Sequence, residues 1–326
     1  MMILNHITQK LLFIMGKGGV GRTTVAASLA SYFAAKGEKV LVVQWALKDS
    51  ISPLYSLPEC SHTEQLLPGG YKVMNFSSSA AIREYFVDHL KMKFIYSMII
   101  ENRQVQKFIH AAPGIQELFF LGRLFWLVEL VQKEKGYYYD RVIVDCPATG
   151  HGVSLFGIAP AVANLGVTGP LATECQRVTK LLMDKEKTGV FIVTLPEELP
   201  VEECYESVPK ITEQLQRPPL ALIINQSNST QFFPKLNLSK DEEWFLKLKS
   251  SLNHLESRQE LDVLLAGLIK RNLLEEKVLT WAQSFSFQSA VNPIRVISLP
   301  DVRLLHKVKS PLDIINSLFN YFSLLT

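Results

Sequence analysis

Apolar residues in this chain gather in short continuous runs, separated by stretches in which they recur every three or four positions. The runs Leu11–Met15, Val40–Val43, Val142–Val144, Val190–Thr194, Leu220–Ile224 and Arg295–Leu299 are rich in β-branched residues and too short for amphipathic helices. They predict strands buried on both faces, and the helical spacing between them predicts a mainly parallel sheet flanked by helices. The first helix is expected from about Thr23 to Lys36, with Gly37 as a left-handed cap. Between the second and third strands nearly a hundred residues show little strand pattern, and Ile82–Leu90, Phe94–Ile100 and Glu117–Val131 read as helical. Asp241 to Ala282 forms a second helical block. Structureless loops of that length are rare in compact domains. The reading is therefore one α/β domain over 1–326, with a helical subdomain inserted at about 56–135 and a second helical block at about 240–284. Pro311 opens a final apolar helix to Leu324, which has no Lys or Arg beyond Lys309 and is expected to pack on the sheet.

Composition narrows the partners. A net charge of +3 over 326 residues gives no case for a nucleic-acid partner. Cys60, Cys146, Cys175 and Cys204 are scattered, with no Cys-x-x-Cys pair, which argues against a structural zinc site or a disulfide framework and for a reducing compartment. No apolar run reaches the roughly 20 residues that cross a bilayer. The run Leu11–Met15 is too short for a signal peptide, so a cytoplasmic location is expected.

The strongest chemical signal follows the first strand. Gly16-Lys17-Gly18-Gly19-Val20-Gly21-Arg22-Thr23-Thr24 joins that strand to the first helix. Glycines let backbone wrap a phosphate with no Cβ in the way, and the exposed N–H groups beside a helix N-terminus attract its oxygens. Thr23 falls where a hydroxyl would ligand Mg²⁺. Arg22 stands where such loops carry a lysine, and its longer, planar guanidinium is not an equivalent replacement.

The second signal is Tyr139-Asp140-Arg141-Val142-Ile143-Val144-Asp145-Cys146-Pro147-Ala148-Thr149-Gly150-His151-Gly152. An apolar strand ending in an acid puts Asp145 at the carboxyl edge of the sheet, where Mg²⁺ and its waters need a carboxylate. Pro147, Thr149, Gly150 and His151 form the small and polar segment expected to respond to a γ-phosphate.

Together these motifs resemble the deviant-Walker-A P-loop ATPases of the arsenite-pump (ArsA) and tail-anchored-protein targeting family, over nearly the whole chain. Val193-Thr194-Leu195-Pro196-Glu197-Glu198-Leu199-Pro200-Val201 looks like that family's later signature, and Asn225 matches its adenine-contacting asparagine. The resemblance implies a dimeric P-loop NTPase that binds ATP and Mg²⁺ and closes face to face, while a helical lobe changes shape for a client protein or membrane partner. It implies catalytic roles for Lys17, which reaches the partner's nucleotide, for Arg22 and for Asp145, with Thr23 and Asp145 toward the metal. Nucleotide binding would fall to Gly16 through Thr24, including Gly18, Gly19, Val20, Gly21 and Thr24, together with Asn225. Thr149 and His151 match the second switch.

The departures open a second reading. Where the family carries the aspartate that positions the attacking water, the segment reads Gln44-Trp45-Ala46-Leu47-Lys48-Asp49-Ser50, with Ala46 at the acid's place and Asp49 three residues late. Losing a water-orienting group raises the barrier by several kcal/mol. Two functions stand side by side, an ATP hydrolase and a hydrolysis-deficient nucleotide-binding subunit that pairs with an active paralogue, and the dimer is either a homodimer or a heterodimer with a related ATPase. His151 reads as a positioning residue before it reads as a base. Cys146 lacks the second cysteine that iron–sulfur ligation requires. Phe86, Leu90, Met92, Phe94, Ile95, Met98 and Ile99 read first as a helix-bundle core and second as a client groove.

Overall fold

A computed structural model describes residues 6–89, 114–147, 154–164, 170–227, 258–288, 290–291, 293–301 and 310–324. The elements run β1 (Leu11–Gly16), α1 (Arg22–Ala35), β2 (Val40–Gln44), β3 (Gln65–Leu66), β4 (Lys72–Asn75), α2 (Ser78–Arg83), α3 (Ile115–Phe125), α4 (Val131–Lys135) and β5 (Arg141–Asp145). They continue α5 (Leu155–Asn164), α6 (Pro170–Met183), β6 (Thr188–Thr194), α7 (Glu198–Leu215), β7 (Ala221–Ser227), α8 (Arg258–Ser284), β8 (Ser286–Phe287), β9 (Ala290–Val291), β10 (Val296–Pro300) and α9 (Pro311–Leu324).

Eight strands form one sheet in the order β10-β7-β6-β1-β5-β2-β4-β3, parallel throughout except for the short β3–β4 pair. The fold class is therefore the α/β P-loop arrangement that the apolar runs predict. Every residue of β1, β2, β5 and β6 is buried, as a parallel sheet covered on both faces requires. Leu11, Phe13 and Met15 point into one core, shared with α3 and α7. Leu12 and Ile14 point into the other, shared with α1 and α9.

β4 is a strand that the apolar pattern did not single out. It pairs parallel with β2, Asn75 opposite Gln44, but only Val73 and Met74 are buried within its four residues. Two apolar positions are too few to register as a run. The helix read over Ile82–Leu90 begins earlier, at Ser78, where the Ser77 side chain accepts from the Ala80 N–H, and then passes into a π-helical turn over Glu84–His89. Another π turn, Trp126–Leu130, joins α3 to α4. α9 packs chiefly on α1, with Tyr32 and Phe322 6.4 Å apart, and also contacts β10 of the sheet. The segments 90–113 and 228–257 lie outside the described residues, and with them the helix read over Phe94–Ile100, most of the apolar groove positions, and the first part of the Asp241–Ala282 block. Among the described residues no helix is long and apolar enough to cross a membrane.

Candidate functional site

Parallel pairing puts the carboxyl ends of β1, β5 and β2 side by side, with Ile14 opposite Asp145 and Asp145 opposite Gln44. The glycine loop leaves β1 at this edge. Gly16 is held so close to β6 that a Cβ would strike the Val193 carbonyl. Gly21, at φ 92°, lies in the left-handed region and caps α1, and a side chain there would collide with Asn225. Val20 is buried and anchors the loop, its carbonyl accepting from Asn225 Nδ2 at 2.9 Å. At Gly18 and Gly19, by contrast, a Cβ would meet nothing within 4 Å. The loop is thus pinned at both ends and open in the middle. No acidic residue occupies the first turn of α1, so its N–H groups and partial positive charge face that opening.

Asp145 sits beside it, 7% exposed. Its Oδ2 accepts from Thr23 Oγ1 at 2.7 Å and from Gln44 Nε2 at 3.2 Å. Burial raises the Asp145 pKa, and the bonds from Thr23 and Gln44 and the charge of Arg22 only partly oppose this. A buried carboxylate short of positive charge next to a hydroxyl is the donor set Mg²⁺ takes when phosphates and water complete its shell. The residues therefore fit that ion. Gln44, which also donates to Ser50 Oγ at 2.8 Å, is a site residue that the motif reading passed over. Its signal was a single amide closing an otherwise apolar strand.

The sign of the Asp145 shift gives a stability prediction. A folded-state pKa above the unfolded value means that stability is complete below the unfolded value, about 3.9. It is then lost as pH rises through the folded one. Asp145→Asn removes this loss. The variant without nucleotide is expected to melt higher than the native chain at pH 7, with no gain near pH 4. Calorimetric melts at the two pH values check it, and an equal gain at both would refute the burial argument.

Arg22 Nη1 donates to the Cys146 carbonyl at 2.7 Å, clamping the start of the segment after β5, and its charge bears on Asp145. Lys17 is half-exposed and lies 3.7 Å from Glu203 of α7. Asn225 is 5% exposed, and its Oδ1 accepts from the Gln226 N–H at 3.0 Å while Nδ2 braces the loop. Among the described residues, one amide hydrogen and one lone pair of Asn225 carry no hydrogen bond. Ala46 is exposed and held at both backbone groups by Asn75, 3.2 Å at its N–H and 3.1 Å at its carbonyl. Asp49 is buried and turned inward, accepting from the N–H groups of Ile51, Ser52 and Cys60 at 2.8, 3.2 and 2.9 Å. Burial would raise its pKa, but these bonds outweigh that and leave it lowered. Asp49 therefore orders a turn and does not face the loop opening. Pro147 follows the clamped Cys146, whereas Thr149, Gly150 and His151 lie outside the described residues.

Comparison with known proteins agrees with the fold. Residues 9–168 match the family model of the anion-transporting ATPases, ArsA. The chain is 30% identical over 241 residues to the ATPase BagA of Mycobacterium tuberculosis, covering 72% of this chain and 69% of that protein. It is 29% identical over 161 residues to ATPase ASNA1 homolog 2 of Paramecium tetraurelia, covering 47% of this chain and 45% of that protein. A putative arsenical pump-driving ATPase of Aquifex aeolicus is 29% identical over 164 residues, or 48% of this chain and 50% of that protein.

Proposed function

The chain belongs to the ArsA family of anion-transporting ATPases, and from that premise we propose that it binds ATP with Mg²⁺ in the loop Gly16–Thr24 and couples closure of a dimer to a client or membrane partner. The observation that carries the reading is the 2.7 Å contact between Thr23 Oγ1 and Asp145 Oδ2 at the open side of the loop. Backbone N–H groups at Gly18, Gly19, Gly21 and the first turn of α1 take the phosphates. Thr23 and Asp145 hold the metal, whose chemistry is to neutralise charge developing on the phosphate oxygens. Asn225 meets the base, and Pro147, Thr149, Gly150 and His151 form the segment that senses the γ-phosphate. The helical insertions at about 56–135 and 240–284 form the lobe that moves. Titration calorimetry of ATP with and without Mg²⁺ tests the assignment: binding that does not respond to Mg²⁺ removes it.

Lys17 carries the dimer reading. Its tie to Glu203 is long and half-exposed, a contact of the kind worth little in water, so it yields readily to a partner's nucleotide. With saturating Mg²⁺-ATP, light scattering is expected to give the mass of two chains, either alone or with a related subunit. A mass that stays at one chain under both conditions overturns the dimer.

Specific observations favour weak hydrolysis within this function. Arg22 holds a backbone carbonyl, Ala46 has no group to orient water, and Asp49 binds three backbone N–H groups. The second reading is accordingly a nucleotide-locked subunit that supplies Lys17 to an active neighbour.

A further inference from the structure

Strand β7 does not run evenly to its end. It pairs in step with β10 as far as Ile224, opposite Ser298, but at the next pair Ser227 lies opposite Pro300. Asn225 and Gln226 thus stand against the single residue Leu299, a bulge of the kind that re-aims a side chain beside a site. Gln226 takes up the distortion. Its φ of 55° is in the left-handed region, which a residue other than glycine keeps only when its surroundings hold it there.

Two side chains hold it. The Gln226 N–H donates to Asn225 Oδ1 at 3.0 Å, and the Gln226 carbonyl accepts from Arg271 Nη2 at 3.0 Å. Arg271 belongs to α8, and its Nη1 donates to Glu197, at the start of α7, at 2.6 Å. One turn further along α8, Glu275 is 1% exposed and accepts from Ser227 Oγ at 2.7 Å and from Ser298 Oγ at 2.9 Å. Arg271 and Glu275 share one face of the helix. With that face α8 grips Gln226 and Ser227 in succession, at the bulge itself.

This grip bears on what Asn225 presents. A carboxamide turned end for end keeps its shape and exchanges its donor for its acceptor. Here both ends are specified: the Val20 carbonyl, at 2.9 Å, requires the NH₂ group, and the Gln226 N–H requires the oxygen. An amide so fixed offers a donor and an acceptor on defined sides, the complement of adenine N7 and its N6 amino group. Guanine carries the acceptor O6 in place of that amino group, and the same amide cannot satisfy it.

We propose that Arg271 is a positioning residue for base selection. By holding the Gln226 carbonyl it keeps Gln226 left-handed, and Gln226 in turn keeps the Asn225 amide in the orientation that suits adenine over guanine. The inference rests on the nucleotide reading of the glycine loop and Asn225. Arg271 acts on the base through two intermediate residues, whereas the phosphates meet the loop backbone, so its loss separates base recognition from phosphate binding.

Titration calorimetry on the full chain in Mg²⁺, with ATP, GTP and inorganic tripolyphosphate as the probes, tests this. The native chain is expected to prefer ATP over GTP by about tenfold or more, the scale of one bidentate amide contact. Arg271→Met loses both donors and is expected to reduce that preference to about twofold through weaker ATP binding, with tripolyphosphate affinity at its native value. Adding Gln226→Gly to the Arg271 variant restores part of the preference, because glycine enters the left-handed region without being held. If Arg271→Met fails to fold, Arg271→Lys, a point charge that cannot fork between Glu197 and Gln226, is expected to lower the preference about threefold. No native preference, a preference unchanged in the folded Arg271 variant, no rescue by Gln226→Gly, or an equal loss for all three probes would each overturn the proposal. A native chain that binds neither ATP nor tripolyphosphate would instead remove the nucleotide reading itself, and this inference with it.

Discussion

Aspartate in place of Ala46 is expected to raise steady-state ATP turnover by about 10-fold to 100-fold over the native chain, the range a single positioned catalytic group supplies. The backbone at Ala46 is already fixed, because Asn75 grips both its N–H and its carbonyl, and the position is exposed at the sheet's carboxyl edge. A carboxylate added there needs no new space and little new order. Asp49 cannot substitute while its oxygens accept from Ile51, Ser52 and Cys60. Asp49→Asn instead sets an amide NH₂ against those donors, with an expected loss of about 2 kcal/mol of stability and no specific loss of turnover below the melting range. Because the Asp49 pKa is lowered on folding, its contribution is present above about pH 3.9 and disappears as pH falls through the lower folded value. Parallel turnover assays and melts on the native chain, Ala46→Asp and Asp49→Asn separate the possibilities. Native turnover of about 1 per second or faster, abolished by Asp49→Asn, would reject the weak-site reading.

Thr23→Ala is expected to weaken Mg²⁺-dependent ATP binding by about tenfold or more, roughly 1.4 kcal/mol, while affinity for ATP without the metal changes little. The substitution removes the hydroxyl 2.7 Å from Asp145 but leaves the loop backbone and the start of α1 intact. Thr23→Ser, which restores the hydroxyl without the methyl, should recover most of the loss. Titration calorimetry with and without Mg²⁺ gives the double difference. Equal affinities for Thr23→Ala and the native chain in Mg²⁺ would leave the metal assignment without support.

The central strands were legible because burial on both faces leaves no room for polar residues, and β1, β2, β5 and β6 lie close to their apolar runs. Asp145 and Thr23 could be placed separately because each ends or follows such a run. What joins them spatially was less visible. Asn75 reaches Ala46 because β4 lies beside β2, and β4 has too few apolar positions to be seen. The Arg22 clamp on Cys146 and the approach of Lys17 to Glu203 depend on chain paths that no local pattern records. The π turns at Glu84 and Trp126 likewise read as ordinary helix, since one extra residue per turn barely disturbs the spacing of apolar positions.

The seating of α9 on α1 bears on how the molecule is put together. α1 carries Thr23 at its head, and its apolar flank, with Leu29, Tyr32 and Phe33, is covered by Ile315, Leu318 and Phe322 from the far end of the sequence. The entropy cost of closing a loop of nearly three hundred residues grows only slowly with its length, but contacts so distant in sequence raise contact order, which slows folding. Until that closure the glycine loop is attached to a helix with one flank bare. The setting of the glycine loop is thereby tied, through α1, to a contact between segments nearly three hundred residues apart.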